Sequence, residues 1–222
     1  MNTSRDTKVS QADATYVTDA ANDMLFDFKI QHTQLVRLGS SERLAVAAKI
    51  PPHSVQPFEE TIMDSRAAIK VSIDTADFVA MGYVADLTDQ DLMRRPHPGC
   101  NHINWQIGHL VTAENQMIEK VAPGTTPALP AGFADKYTKE AATSDDPAKF
   151  ATKDELLRVA KQQRTATLAA LSKVSDADLD KPTGLDYAPT VGAIFALQGS
   201  HWLMHCGQWV IVRRSLGKPA LF

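Results

Sequence analysis

Two histidines four residues apart, His201 and His205, sit in "SHWLMHCGQWVIVRRSLGKP" near the end of this 222-residue chain. A helix advances about 100° per residue, so the two rings differ by only about 40° around its axis. Imidazoles in that relation can converge on one ion, about 2.0–2.1 Å from each nitrogen. Gln198 and Gln208 fall close to the same line, which gives one polar stripe of Gln198, His201, His205 and Gln208. The other sides of the segment offer Ile194, Phe195, Leu197, Leu203, Trp209, Val210 and Ile211. A helix apolar nearly all round is a buried helix, and buried polar groups need partners. The partner is either an ion or, in a purely structural bundle, hydrogen bonds among the histidines and Gln198 or Gln208.

Two ligands make a weak site, and a third comes from "HINWQIGHLVTAENQMIEKV". His102 and His109 are seven residues apart and share a helical face, with Trp105 and Gln106 between them. His102 lies at the first turn, where a histidine often occupies a water-exposed rim. His109 lies well inside, next to Gly108, whose missing side chain leaves room for a close neighbour. His109, His201 and His205 are therefore the expected metal ligands. Three imidazoles leave an open position, as in catalytic rather than structural zinc sites. A competing cluster is His97-Pro98-Gly99-Cys100-Asn101-His102, whose ligand types suit zinc but which offers no clear fourth partner. The zincin pattern needs Glu after the first histidine, and Trp202 stands there. No nucleophile elbow, dinucleotide fingerprint or phosphate loop is present, and neither is the Glu-x-x-His pair of di-iron bundles. Inward carboxylates look scarce on these two segments, so the sequence names no general base. Cys206 reads as a small buried hydrophobe, and Trp202 and Trp209 as core packing. Trp105 is placed to wall the pocket.

Four helices must position these residues. The first runs from about Asp64 to Leu87, with Ile69, Ile73, Ala76, Ala80, Tyr83 and Leu87 recurring at steps of three and four. The second opens at Asn101, a good N-cap residue, and breaks at Pro123-Gly124. A polar stretch from Ala122 to about Ala151 follows; loops of that length are functional or hide short helices. Thr152 and Glu155 have capping-box spacing and open the third helix. There Leu157, Ala160, Leu168 and Leu171 face the core, while Lys153, Asp154, Arg158 and Lys161 stay in water. The fourth helix runs from about Thr190 to Leu216, with Arg213 and Arg214 in its last turn, Gly217 at C′ and Pro219 beyond. Four helices without a convincing strand make an all-α fold, a four-helix bundle.

Residues 1–62 are patterned poorly, apart from a short helix expected around Asp19 to Arg37 with Met24, Leu25, Phe28 and Leu35 on one face. Two readings of this extension stay open. It is a flexible or loosely docked arm, or it lies upstream of a true start at Met63, since Glu59-Glu60 can be encoded by a purine-rich string at ribosome-binding distance from that codon. The bundle domain is then residues 63–222. The formal charge is −3 with both signs scattered, which is unlike the basic stripe of a nucleic-acid binder. No apolar run approaches a membrane span, no h-region opens the chain, and two cysteines are too few for a disulfide framework. The expectation is a cytoplasmic protein with no nucleic-acid or membrane partner.

The stretches "INWQIGHLVTAE" and "SHWLMHCGQWVIVRRSLGKP" resemble the DinB-like superfamily of four-helix-bundle metalloenzymes. The second stretch carries His-x-x-x-His, Gly-Gln, Arg-Arg and Leu-Gly-Lys in the order that family uses, and the likeness spans about residues 63 to 220. The resemblance implies that His109, His201 and His205 bind a divalent metal such as nickel or zinc. It implies a thiol-dependent transferase or isomerase acting with a low-molecular-weight thiol such as bacillithiol, mycothiol or glutathione, on a small-molecule substrate, as a homodimer. The alternative is a non-catalytic metal-binding or stress-response bundle protein. This sequence departs from the family in its N-terminal extension and in the long loop after the second helix.

Overall fold

The computed structural model describes residues 63–219 and Leu221. The expected helix around Asp19 to Arg37 and both readings of the extension lie outside the described residues. Among the described residues four long helices form the bundle: α1 (Ser65–Val84), α2 (Ile103–Val121), α3 (Lys153–Leu171) and α4 (Val191–Ser215). Single helical turns at Asp89–Leu92 and Asp176–Leu179 sit in the connections. Among the described residues there is no strand, only an isolated bridge between Pro182 and Thr190.

The ends of these helices are set locally. The side chains of Asp64, Thr152 and Thr190 accept the N–H groups of Ala67, Glu155 and Ala193, which satisfies donors that a helix start leaves open. α4 closes in a Schellman motif: the Gly217 N–H donates to the Arg214 carbonyl and that of Lys218 to Arg213, with Gly217 at φ 70°. The start of α2 departs from expectation. Its N-cap is His102 rather than Asn101, and ring Nδ1 accepts the Trp105 N–H at 3.0 Å in the place of an Asx oxygen.

Contacts between helices fix their directions. Gly199 lies against Ser72 and Arg213 reaches the Tyr83 carbonyl, so α1 and α4 run parallel. Gln106 meets Trp209 while Glu114 meets Trp202, so α2 and α4 are antiparallel. Asn104 bonds the Ala151 carbonyl just before α3 and Asn115 bonds Gln163, so α2 and α3 are parallel. The chain between α2 and α3 must therefore travel back along the bundle, about 29 Å for nineteen residues of helix. It does so through three short 3-10 turns, at Ala134–Tyr137, Ala141–Thr143 and Pro147–Lys149. Tyr137 from this segment fills the groove at Gly108, where a Cβ would lie 2.3 Å from its ring.

Ile73, Ala76, Ala80 and Leu87 are buried as expected, with Ile69 and Tyr83 half-buried. On α3 the buried line is Leu156, Val159, Ala160, Ala170 and Leu171, with Leu157 and Leu168 half-buried at its margin. α4 is not buried on every side. Met204 is 60% and Ile211 52% exposed, because in a four-helix arrangement the outer side of any helix faces water.

Candidate metal centre

α2 and α4 cross so that His109 faces His201 and His205. Their ring centroids lie 5.5 Å apart for His109–His201, 5.9 Å for His109–His205 and 5.1 Å for His201–His205. One ligand atom from each ring lies within 4.8 Å of the other two, the one such group of His, Cys, Asp and Glu among the described residues. Tetrahedral ligation at about 2.0–2.1 Å sets nitrogens roughly 3.3 Å apart, so side-chain movements of about an ångström close the set around an ion. His109 and His201 are half-buried and His205 is buried. Burial lowers the pKa of all three, and neighbouring rings add to it at His201 and His205; His205 falls to about 4. The rings are therefore neutral at pH 7, with lone pairs available, and the donor set fits a divalent ion.

The surroundings hold these rings in place. Trp105 stacks on His109, centroids 4.9 Å apart and planes 5° from parallel, with its indole N–H anchored on the Thr138 carbonyl of the crossover segment. Gln106 Oε1 lies 2.9 Å from His205 Nδ1 and accepts the Trp209 indole N–H at 2.8 Å. Its Nε2 donates to the Asn101 carbonyl at 2.6 Å and to Gln208 Oε1 at 3.1 Å. Gln198, the other glutamine of the stripe, turns back to the Ile194 carbonyl. The partner of His205 is thus a glutamine of α2, and not Gln198 or Gln208.

The loop cluster does not assemble. His102 is wholly buried, edge-on to Phe150 at 4.6 Å, with Nδ1 committed to the helix cap, and it is no rim residue. His97 Nδ1 accepts the Gly99 N–H within its own turn. Cys206 is buried, and desolvation pushes its thiol up to about 12, which leaves it unreactive.

An inward carboxylate does exist, and the sequence reading missed it. Glu114 on α2 is 1% exposed. Oε1 accepts from the Thr167 hydroxyl at 2.7 Å and Oε2 from the Trp202 indole at 3.1 Å, with the Arg164 guanidinium 3.2 Å away. Desolvation raises its pKa against the pull of Arg164 and of both hydrogen bonds. The signal was its place on the buried line Ile107, Val111, Glu114, Ile118, where an apolar residue would be routine. Glu114 ties α2, α3 and α4 together one layer from the histidines and is not part of their group.

A cavity of about 870 Å³ opens beside Trp105, lined by Arg94, Arg95, Cys100, Lys139 and Asp145 among others. None of the three histidines lines it, so Trp105 is the element it shares with them. Arg95 is occupied by Asp145 and by the carbonyls of Cys100, Ala142 and Ser144.

Comparison with known proteins agrees with this architecture. Residues 77–209, which include all three histidines, match the DinB superfamily. The fold is similar to the crystal structure of a conserved protein from Enterococcus faecalis, with a TM-score of 0.52 and 18% identity over 68% of this chain and 96% of that one. No curated protein matches the chain.

Proposed function

The chain belongs to the DinB superfamily, and from that premise we propose that it is a divalent-metal-dependent enzyme, a transferase or isomerase acting with a low-molecular-weight thiol. The observation that carries the reading is the convergence of His109, His201 and His205 within 4.8 Å with no fourth protein ligand beside them among the described residues. Nickel or zinc suits three neutral imidazoles. A divalent ion there would supply Lewis acidity and favour the ionised, reactive form of a thiol. The protein's own residues do the rest. Trp105 holds the His109 ring flat against its face. Arg94 and Lys139 line the cavity beyond Trp105 and suit an anionic small molecule.

The reading extends to a homodimer, supported by the exposed apolar side chains Val71, Met204 and Ile211 on the paired helices α1 and α4. It extends also to a cytoplasmic setting without membrane or nucleic-acid partners. No helix among the described residues is long and apolar enough to cross a membrane.

Elemental analysis of protein purified without an affinity tag tests the centre. The parent should take up about one zinc or nickel per chain. His109→Ala, His201→Ala and His205→Ala should each lose most of it, while His97→Ala and His102→Asn keep it. A parent that refuses both metals ends the reading. Turnover of thiols with electrophiles then separates the enzyme from a non-catalytic metal-binding or stress-response bundle. That second reading is favoured by the absence, among the described residues, of a carboxylate in the histidine group.

A further inference from the structure

We propose that Gln106 is a positioning residue that fixes which nitrogen of His205 carries the proton, and so presents Nε2, with its lone pair, to the ion site before any metal arrives. Its purpose rests on the three-histidine reading, but the hydrogen-bond logic stands without it. A carboxamide can be turned either way, and two contacts decide the turn here. At one end the amide nitrogen lies 2.6 Å from the Asn101 carbonyl oxygen, which can only accept. At the other end Oε1 lies 2.8 Å from the Trp209 indole nitrogen, which can only donate. Both contacts demand the same orientation, so the atom facing His205 is an oxygen.

That oxygen lies 2.9 Å from His205 Nδ1. An acceptor at hydrogen-bond distance requires Nδ1–H, and a neutral imidazole has one N–H, so Nε2 is left unprotonated. Unconstrained histidine favours the opposite tautomer, with the proton on Nε2, where it would block a metal. Outer partners of this kind orient metal-binding histidines and raise their basicity. Gln106 and His109 are three residues apart on α2 and so share a face. One helix thereby contributes both the third ligand and the group that prepares a ligand of the facing helix. Gln208, from the polar stripe itself, acts a step further out by accepting from the Gln106 amide.

The test is long-range 1H–15N correlation on metal-free, 15N-labelled protein at about pH 8, above the ordinary histidine range, together with zinc titration. The parent should show His205 as Nδ1–H. Gln106→Glu keeps an oxygen toward His205 and Trp209 and should keep the tautomer, but its second oxygen faces the Asn101 carbonyl without a proton to donate and should cost stability. Gln106→Leu should move His205 toward Nε2–H and weaken zinc by about 10–100-fold. If Gln106→Leu does not fold, the parent spectrum and Trp209→Phe decide: losing the indole donor should leave Nδ1–H in place. Nε2–H in the parent, or Nδ1–H retained in a folded Gln106→Leu, overturns the proposal. A parent that shows Nδ1–H yet takes up no zinc retires the metal reading and leaves the tautomer lock standing.

Discussion

A histidine that caps a helix from inside the core is a titration waiting to be paid in stability. His102 is wholly buried, and desolvation, helped by nearby Arg95, lowers its pKa to about 4. Its folded value lies below the ordinary 6.5, so the unfolded chain binds its proton first as pH falls. The neutral ring therefore contributes stability in full above about pH 6.5, and the contribution is lost as pH falls toward 4, on the order of 3 kcal/mol in all. His109, His201 and His205 are shifted in the same direction and add to the slope in metal-free protein. Asparagine at an N-cap also accepts from the helix N–H groups. His102→Asn should therefore keep the cap and flatten the decline, as urea unfolding at pH 7, 5.5 and 4 would reveal. An unchanged slope would mean that His102 titrates normally. The same shifts move the acid release of metal. Protons should compete for the triad below the ordinary histidine range, so zinc should be released on dialysis at a more acidic pH than ordinary histidine ligands would allow.

Between elements, glycines mark where backbones or rings come close. A Cβ on Gly108 would lie 2.3 Å from the Tyr137 ring, and one on Gly199 would lie 2.8 Å from the Ser72 carbonyl oxygen of α1. Gly207, on the same helix as Gly199, has nothing within 4 Å of the equivalent point. Gly108→Ala and Gly199→Ala should each cost about 1–3 kcal/mol through overpacking. Gly199→Ala should be the harder to accommodate, since its obstacle is backbone. Gly207→Ala should gain about 0.5–1 kcal/mol from helix propensity alone. Thermal unfolding of the three variants measures both signs, and a destabilised Gly207→Ala would place an unseen neighbour at that surface. Glu114 works at the same scale. Its bonds to Thr167 and Trp202 link three helices, so a buried carboxyl group serves the register of the bundle rather than the chemistry of the histidines.

At the scale of the whole molecule, the caps of α1 to α4 and the three histidines lie after Met63, and α1 begins at Ser65 with Asp64 as its cap. A chain beginning at Met63 should fold and take up metal as the full chain does. Its stability should change by no more than an ordinary point mutant's, about 0.5–3 kcal/mol. A larger fall on thermal unfolding would make residues 1–62 part of the core.

What the sequence determined is what is local along the chain. Apolar residues at steps of three and four gave the helices, Asp64, Thr152 and Thr190 their starts, and Gly217 the end of α4, because capping and periodicity act within one or two turns. The spacing of His201 and His205 was enough to put both rings on one side of α4. Only the tertiary structure decided that α2 runs antiparallel to α4, which brings His109 to that side, and that the chain after α2 must return along the bundle. The same holds for polar residues whose role depends on what they face. Gln106 and His205 are 99 positions apart, Glu114 and Trp202 are 88, and no pattern within either helix says which donor meets which acceptor. His102 was misread for the same reason, since the phenylalanine that buries it comes from the crossover segment, 48 residues further on.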